Sequence, residues 1–275
     1  MRDDSANAIS GTVKVTGERT STGAGGFNPT FQRHRANYAL ATTFLEPGRV
    51  LDLGCGVGHS LDLLSPRDSV GVDRDAGALA GQPRETVVSD MRELPFQDGS
   101  FPSIVCSHAI EHVPDPERLL SEAARVLAPA GTAIFATPNR LTFGPADEII
   151  DPYHYIEWDP AELATLCSGA FHQVSIHGVF GSERQLAVMA MEREKLDALL
   201  RKDFLGLRRM VPRRLRRRLY DQRLRRERRA STPEAAAITI ADFELRSERL
   251  EEALDLIAVC RLPRPRGWSL RPRTS

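Results

Sequence analysis

Three glycines spaced two residues apart follow an apolar run that contains one acidic residue. The apolar run spans 50–53 around Asp52, and Gly54, Gly56 and Gly58 come directly after it. Glycines let the backbone turn tightly beneath a ligand and present N–H groups to an anionic group such as a carboxylate. This spacing predicts a loop that binds a cofactor.

Two more acidic residues follow later apolar runs. Asp73 ends the second run, 21 residues after Asp52, and Asp90 follows the third run, 86–88. A carboxylate at the tip of the second strand can accept hydrogen bonds from both hydroxyls of a ribose. The alternative is that these residues are ordinary strand-end or turn aspartates. Three of them at these spacings favour a nucleoside-containing cofactor.

The alternation of apolar runs and helical segments indicates how these residues are positioned. We predict an α/β fold with a doubly wound, mostly parallel sheet and helices on both faces. The predicted strands are 49–53, 69–72, 86–88, 103–106, 132–137, 171–180 and 254–260. Helices are predicted over 28–45, from 58, over 116–128 after the cap Asp115, and from Pro160 after Asp159.

These motifs resemble those of class I S-adenosylmethionine-dependent methyltransferases, in the small-molecule group that includes the ubiquinone and menaquinone enzymes. The resemblance rests on D-x-G-x-G-x-G at 52–58, whereas a nicotinamide site would have G-x-G-x-x-G. Residues 94–101, 111–115 and 131–139 continue it in the family's order. The resemblance covers about residues 37–180. It implies a seven-stranded Rossmann-like sheet and S-adenosylmethionine as the cofactor.

The same resemblance implies a role for each cofactor-binding candidate. The three glycines would line the methionine and ribose portions, with Asp52 ordering their loop. Asp73 would bind the ribose hydroxyls, Asp90 the adenine amine, and Met91 would lie against the adenine ring. The last candidate of this set is Ser107, at the end of the fourth strand.

Four further residues are candidates for catalysis: His108, Glu111, His112 and His154. The first three have i, i+3, i+4 spacing and follow strand four, while His154 follows strand five, so all four lie at the carboxyl ends of strands, where ligands bind. The layout is similar to metal-assisted O-methyltransferases with E-x-x-E-H and a distant His. With His108 in place of the first Glu, a divalent metal site would favour zinc, manganese or iron over magnesium. The alternatives are that His154 is a metal-free base, or that the Glu-His pair only orders the loop.

The methyl acceptor is less well defined by the sequence. The segments 137–140 and 16–19 look like those of methyltransferases of sugars and polysaccharides, among them the actinobacterial group acting on the mycofactocin oligosaccharide. We therefore expect O-methylation of a hydroxyl on a sugar, glycan or other polar small molecule. The alternatives are C-methylation of a quinone-like ring, 2′-O-methylation of RNA 3′ ends, and a non-catalytic cofactor-binding module. The segment 107–110 lacks the Asn/Asp-Pro-Pro-aromatic run of amino methyltransferases that act on DNA bases.

The balanced charge of the chain hides a strongly basic segment. The chain has 37 basic and 37 acidic residues, but 201–229 contains 13 arginines and one lysine against three acidic residues, a net charge of +11. It also carries an apolar stripe at helical spacing: Phe204, Leu207, Val211, Leu215 and Leu219. We favour packing of this stripe on the core; the alternative is weak association of 201–229 with an anionic membrane surface or an anionic substrate. Nucleic acid is disfavoured because the segment has few aromatic residues.

Composition and spacing suggest five segments: a flexible arm (1–27), a methyltransferase core (28–181), an Arg-rich insert or lid (182–250), the final strand (251–262) and a basic tail (263–275). Four widely separated cysteines are expected to be reduced core thiols. No apolar run approaches the roughly 18 residues that span a bilayer. We therefore expect a cytoplasmic protein, peripheral at the inner membrane face if the insert binds lipid.

Overall fold

A single eight-stranded sheet organises the fold. The computed structural model describes residues 28–143, 149–202, 211–228 and 232–265, so the predicted arm and most of the predicted tail lie outside the described residues. The strands are β1 Val50–Leu53, β2 Ser69–Asp73, β3 Glu85–Val88, β4 Phe101–Ser107, β5 Leu127–Pro138, β6 Phe171–Gly181, β7 Phe243–Arg246 and β8 Asp255–Pro263. Their order is β3-β2-β1-β4-β5-β8-β6-β7. The first five strands are parallel, and β8 runs antiparallel between β5 and β6.

Helices and short helical turns connect and flank these strands. The helices are α1 Asn28–Ala41, α2 Ala76–Leu79, α3 Pro116–Val126, α4 Arg140–Phe143, α5 Pro160–Ser168, α6 Glu183–Lys202, α7 Arg213–Arg228 and α8 Pro233–Ala236. Asp115 caps α3 by accepting from the Arg118 N–H, and Asp159 forms a capping box with Glu162 at α5. Both predicted helix starts are thus confirmed. Among the helices of the described residues, none has the length and apolar character needed to cross a bilayer.

The sheet is buried on both faces, as the predicted doubly wound fold requires. Ile104 and Phe135 belong to one hydrophobic cluster, while their chain neighbours Val105 and Ile134 belong to the cluster on the other face. The four cysteines are buried and unpaired within this core, as expected.

Two features differ from the sequence prediction. The helix predicted from residue 58 is only a 3-10 turn, Leu61–Leu64, because the short connection to β2 contains Pro66, which lacks an N–H donor. The sheet has eight strands rather than seven, since β7 within the insert pairs antiparallel with β6. A four-residue strand such as β7 is too short for its periodicity to distinguish it from a loop.

One buried carboxylate joins the two ends of the insert between β6 and β8. Asp242 accepts hydrogen bonds from the Ser182 hydroxyl, the Arg184 guanidinium and the Thr239 N–H. Burial alone would raise the pKa of Asp242, but these donors hold it at about 2. The two ends of the insert are therefore joined through an ionised side chain.

We predict that Asp242→Asn lowers the free energy of unfolding by about 2 kcal/mol at neutral pH, because hydrogen bonds to a charged acceptor are lost. The folded-state pKa lies below the ordinary value, so the wild-type advantage should be complete above about pH 5 and shrink between about pH 4 and pH 2. Urea unfolding of both proteins across this range measures the difference. Asp68→Asn, at an exposed carboxylate, is the control. A stability difference that stays constant down to the acid limit would contradict the prediction.

Candidate active site

The glycine loop has the backbone conformation that its sequence predicts. Gly54, Gly56 and Gly58 have φ angles of 69°, 52° and 72°, a region that favours glycine. Asp73, at the end of β2, accepts from the Gly56 N–H at 3.0 Å and from the Asp75 N–H at 2.9 Å. The Asp73 carboxylate thus fixes the loop against the tip of the neighbouring strand.

Asp52 is buried within β1, where one cation and one hydroxyl compensate it. The Tyr38 hydroxyl donates to it at 2.8 Å, and the Arg84 guanidinium forms an ion pair with it at 2.8 Å. Burial raises the pKa of Asp52, although Arg84 and Tyr38 oppose the rise. The residue therefore joins α1 and the segment before β3 to the strand that leads into the loop.

A pocket opens in front of this loop, at the carboxyl ends of β1, β2 and β4. A Cβ atom added at Gly56 would have no heavy atom within 4 Å, whereas one at Gly54 would lie 3.2 Å from Met91 Sδ. Of the predicted cofactor residues, Asp52, Gly58 and Ser107 are not in the lining. The described residues that form it are Gly54, Gly56, Asp73, Arg74, Ser89, Asp90, Met91, Arg92, His108, Ala109, His112, Val113 and Pro114. The space beside Gly56 is a cradle that any side chain there would fill.

Asp90 lies on the pocket wall and is paired with a neighbour that sequence analysis did not single out. Arg92 contacts both carboxylate oxygens of Asp90, the shorter distance being 2.6 Å. The Arg92 hydrogen bonds lower the pKa of Asp90 to about 2 despite partial burial. An ionised acceptor therefore lines this side of the pocket.

His108 is buried between two carboxylates. Its Nδ1 lies 3.5 Å from Glu111 Oε1, and its Nε2 lies 3.5 Å from Asp255 Oδ2. Burial alone would lower the pKa of His108, but Asp255 and Glu111 raise it to about 9. The ring of His34 stacks on it at 3.8 Å, and burial together with His108 keeps the pKa of His34 well below its ordinary value. His34 was not recognised from the sequence.

The other three catalytic candidates come together beside the pocket. Ligand atoms of Glu111, His112 and His154 all lie within 4.8 Å of one another. Glu111 is fully buried and accepts from the Thr137 hydroxyl, and the rings of His112 and His154 are 4.9 Å apart. His108 is not in this group of three, because it is held between Glu111 and Asp255.

His154 has acidic partners that the sequence analysis did not identify. Its Nδ1 lies 2.6 Å from Glu157 Oε1, and its Nε2 lies 3.9 Å from Asp151 Oδ2. Burial opposes protonation, but Glu157, Asp151 and Glu111 raise the pKa of His154. Both flanking acids stand three residues from His154, and this spacing was a visible signal. Outside a helix, however, such spacing does not specify that side chains meet.

The Arg-rich helix α7 holds the loop that carries His154. Tyr153 donates to both Asp221 oxygens at 2.9–3.0 Å, and Tyr220 donates to Asp151 at 2.9 Å. Arg217 donates to the carbonyl of residue 152 and lies over the Tyr153 ring, 4.7 Å from its centroid. One face of α7 therefore orders the neighbourhood of the candidate base.

The apolar stripe of the insert does not pack on the core where the structure describes it. Leu215 and Leu219 are 47% and 53% exposed, so the favoured interpretation was wrong for these residues. The reason is that the polar face of α7 finds hydrogen-bond partners in the 151–153 loop, which turns the leucines outward. Phe204 and Leu207 lie outside the described residues.

Comparisons with known proteins agree with this geometry. The methyltransferase domain family matches residues 51–135. A protein of Mycobacterium tuberculosis described as a probable S-adenosylmethionine-dependent methyltransferase is 32% identical over 265 residues, covering 91% of this chain and 90% of that protein. A ubiquinone biosynthesis O-methyltransferase of Paracidovorax citrulli is 31% identical over 153 residues, or 46% of this chain and 63% of that protein.

Among solved structures, an S-adenosylmethionine-dependent methyltransferase from Thermotoga maritima aligns with a TM-score of 0.56, covering 86% of this chain and 92% of that one. At 17% identity this likeness shows the fold alone. The match to the mycobacterial protein, in contrast, extends over nine-tenths of both sequences and includes the glycine loop. This chain therefore belongs to the class I S-adenosylmethionine-dependent methyltransferases.

Proposed function

We propose that this enzyme methylates a hydroxyl group of a sugar, glycan or other polar small molecule, with His154 as the base. The observation that carries the proposal is the His154–Glu157 contact of 2.6 Å, next to a histidine, His112, that lines the pocket. An alcohol keeps its proton at neutral pH, so its methylation requires a base or a metal, whereas an amine or thiolate needs only positioning.

The residues around the pocket fit S-adenosylmethionine, which supplies an activated sulfonium methyl group when bound. Asp73, at the tip of β2, would bind the ribose hydroxyls, and the space beside Gly56 would take the adjoining part of the cofactor. Asp90 and Met91 would flank the adenine. The buried hydroxyl of Ser107 has no hydrogen-bond partner among the described residues, but Ser107 does not line the pocket and so gives no support to this assignment.

The acidic partners of His154 suit a proton acceptor. In the tautomer whose Nδ1–H donates to Glu157, Nε2 carries the lone pair that would accept the hydroxyl proton, and Glu157 would stabilise the imidazolium that forms. The raised pKa of His154 makes it a stronger base. Glu157 and the Tyr153–Asp221 contact would act as positioning groups, since they hold the loop and the ring orientation.

A divalent metal at Glu111, His112 and His154 is the second arrangement that we consider. The set offers two imidazole nitrogens and one carboxylate oxygen, which suit zinc, manganese or iron better than magnesium. The Glu157 hydrogen bond to the far side of His154 is the kind of contact that orients a metal-bound histidine. Such an ion would lower the pKa of the acceptor hydroxyl, so the cluster would serve the same reaction.

The proposal of a hydroxyl acceptor rests on the resemblance to O-methyltransferases and on the candidate base His154. Of the 137–140 segment, Asn139 donates to the carbonyls of Leu250 and Ala253, and Arg140 pairs with Asp159. These residues thus brace the fold instead of offering groups to a sugar. Support for O-methylation comes from the ubiquinone O-methyltransferase relative and from the His154 dyad; a glycan acceptor such as an oligosaccharide remains our proposal within that class.

The acceptor proposal is tested by incubating the enzyme with S-adenosylmethionine and glycosides, oligosaccharides, quinols or RNA ends. We expect release of S-adenosylhomocysteine with a polar hydroxyl compound, and a mass increase of one methyl on its oxygen. Methylation of a ring carbon, or of an RNA 3′ end only, would assign one of the alternatives instead. Cofactor binding without product from any acceptor would favour the non-catalytic module.

We predict that Gly56→Ala and Asp73→Ala weaken S-adenosylmethionine binding, measured by calorimetry. The methyl group of an alanine at position 56 would enter the cofactor space. Removal of the Asp73 carboxylate would leave the ribose hydroxyls unpaired, a loss of roughly 1.5–3 kcal/mol, or about 10- to 150-fold in Kd. Gly81→Ala is a matched control, because Gly81 also has positive φ and open space but does not line the pocket. Unchanged affinity in both pocket variants would refute the cofactor assignment.

We predict that His154→Gln lowers turnover about 100-fold or more while leaving the cofactor Kd nearly unchanged, because the hydroxyl loses its base. Glu157→Gln should cause a smaller fall, and His172→Gln, at an exposed histidine, should have none. Wild-type turnover by His154→Gln would overturn the role. Metal analysis separates the two arrangements: activity that survives chelation supports the free base, and activity restored only by zinc, manganese or iron supports the metal.

A further inference from the structure

The outward face of α7 combines apolar and basic side chains that the structure leaves in solvent. Leu215 and Leu219 are about half exposed, and Arg214 and Arg218 beside them are also exposed. At 100° per residue, the two leucines lie roughly opposite Arg217 and Tyr220, the residues that hold the 151–153 loop. The helix thus turns its polar face inward and its leucines outward, the reverse of an ordinary surface helix.

We infer that this outward face of α7, defined by Arg214, Leu215, Arg218 and Leu219, docks on an anionic lipid bilayer. Leucines that enter the interface, flanked by arginines at headgroup level, are the arrangement of an interfacial helix. The 201–229 segment carries a net charge of +11, which is complementary to an anionic leaflet. This interaction does not depend on the identity of the methyl acceptor.

The positive charge of the helix would also attract nucleic acid, but its exposed face, defined by Arg214, Leu215, Arg218 and Leu219, has no aromatic ring that could stack on a base. The aromatic residue of α7 is Tyr220, which donates to Asp151 and is therefore turned toward the protein. Leucines offer no ring on which a base can stack. The same two leucines would lose their contact with water by entering a lipid interface. The face therefore suits a bilayer better than it suits nucleic acid.

Docking through this face would place the candidate site close to the bilayer. The inward face of the same helix contacts residues 151–153, next to His154. With two leucines and a few arginines, binding should be reversible and sensitive to salt. An acceptor that resides in or near the membrane would then meet the enzyme at the surface where the base loop is held.

The test is co-sedimentation of the full-length protein with phosphatidylcholine vesicles, with and without phosphatidylglycerol, at low and high salt. We expect binding only to the anionic vesicles and loss of binding at high salt. Leu215→Gln/Leu219→Gln should weaken partitioning at least about tenfold, and Arg214→Gln/Arg218→Gln about fivefold per arginine with a flatter salt dependence. The matched controls are Leu186→Gln/Met191→Gln, at equally exposed α6 residues, and Arg246→Gln/Arg249→Gln.

Circular dichroism and cofactor affinity establish that each variant is folded. The inference is overturned if the wild type ignores anionic vesicles, or if the leucine variant binds as the wild type does. It is also overturned if the controls lose as much binding as the α7 variants. Self-association in sedimentation velocity that requires Leu215 and Leu219, without vesicle binding, would assign the face to a second copy of the chain. Salt-sensitive binding of an RNA or DNA duplex that is indifferent to the leucines would assign it to nucleic acid.

Discussion

Three buried carboxylates at one edge of the sheet must be compensated, and much of the site's architecture follows from this requirement. Asp52, Glu111 and Asp255 are at most 2% exposed. A buried charge is tolerated only when it is paired and hydrogen-bonded. Helix α1 meets this need for two of them: Tyr38 donates to Asp52, while Asn37 donates to Asp255 and Arg33 pairs with it at 3.4 Å. The position of α1 over the sheet is thus set by charge as well as by apolar packing.

Local pattern explains which parts of the site could be predicted. The glycine loop, Asp73 and the caps Asp115 and Asp159 are defined by residues a few positions apart, so their chemistry is visible in the sequence. Asn37 and Asp255, in contrast, are 218 residues apart, and no periodicity connects them. The same holds for Arg84 with Asp52. Compensation of buried charge is a tertiary property that becomes evident only once the strands are aligned.

The insert shows a related limit of sequence patterns. Helical periodicity correctly placed Leu215 and Leu219 on one face of a helix, but it does not say which face of a helix meets the protein. In this protein the 151–153 loop determines which face of α7 points inward. Asp151 offers an acceptor and Tyr153 a donor, and the polar face of α7 carries their partners. The polar face of α7 makes four contacts with that loop, and the two leucines remain exposed. The helix therefore contacts the neighbours of His154.

His108 shows how charge balance constrains the chemistry available to the site. The resemblance to metal-assisted enzymes predicts a glutamate at this position, yet here the side chain lies between Glu111 and Asp255. Replacement of His108 by a carboxylate would place three acids within one buried region, which a metal or a proton would then have to compensate. His108, whose pKa is about 9, instead compensates the charge of Glu111. Although burial opposes ionisation, the pKa of Glu111 therefore falls to about 2. Glu111 can therefore remain ionised beside His112 and His154 without a metal, and in the proposed reaction it would stabilise the imidazolium that forms when His154 accepts a proton.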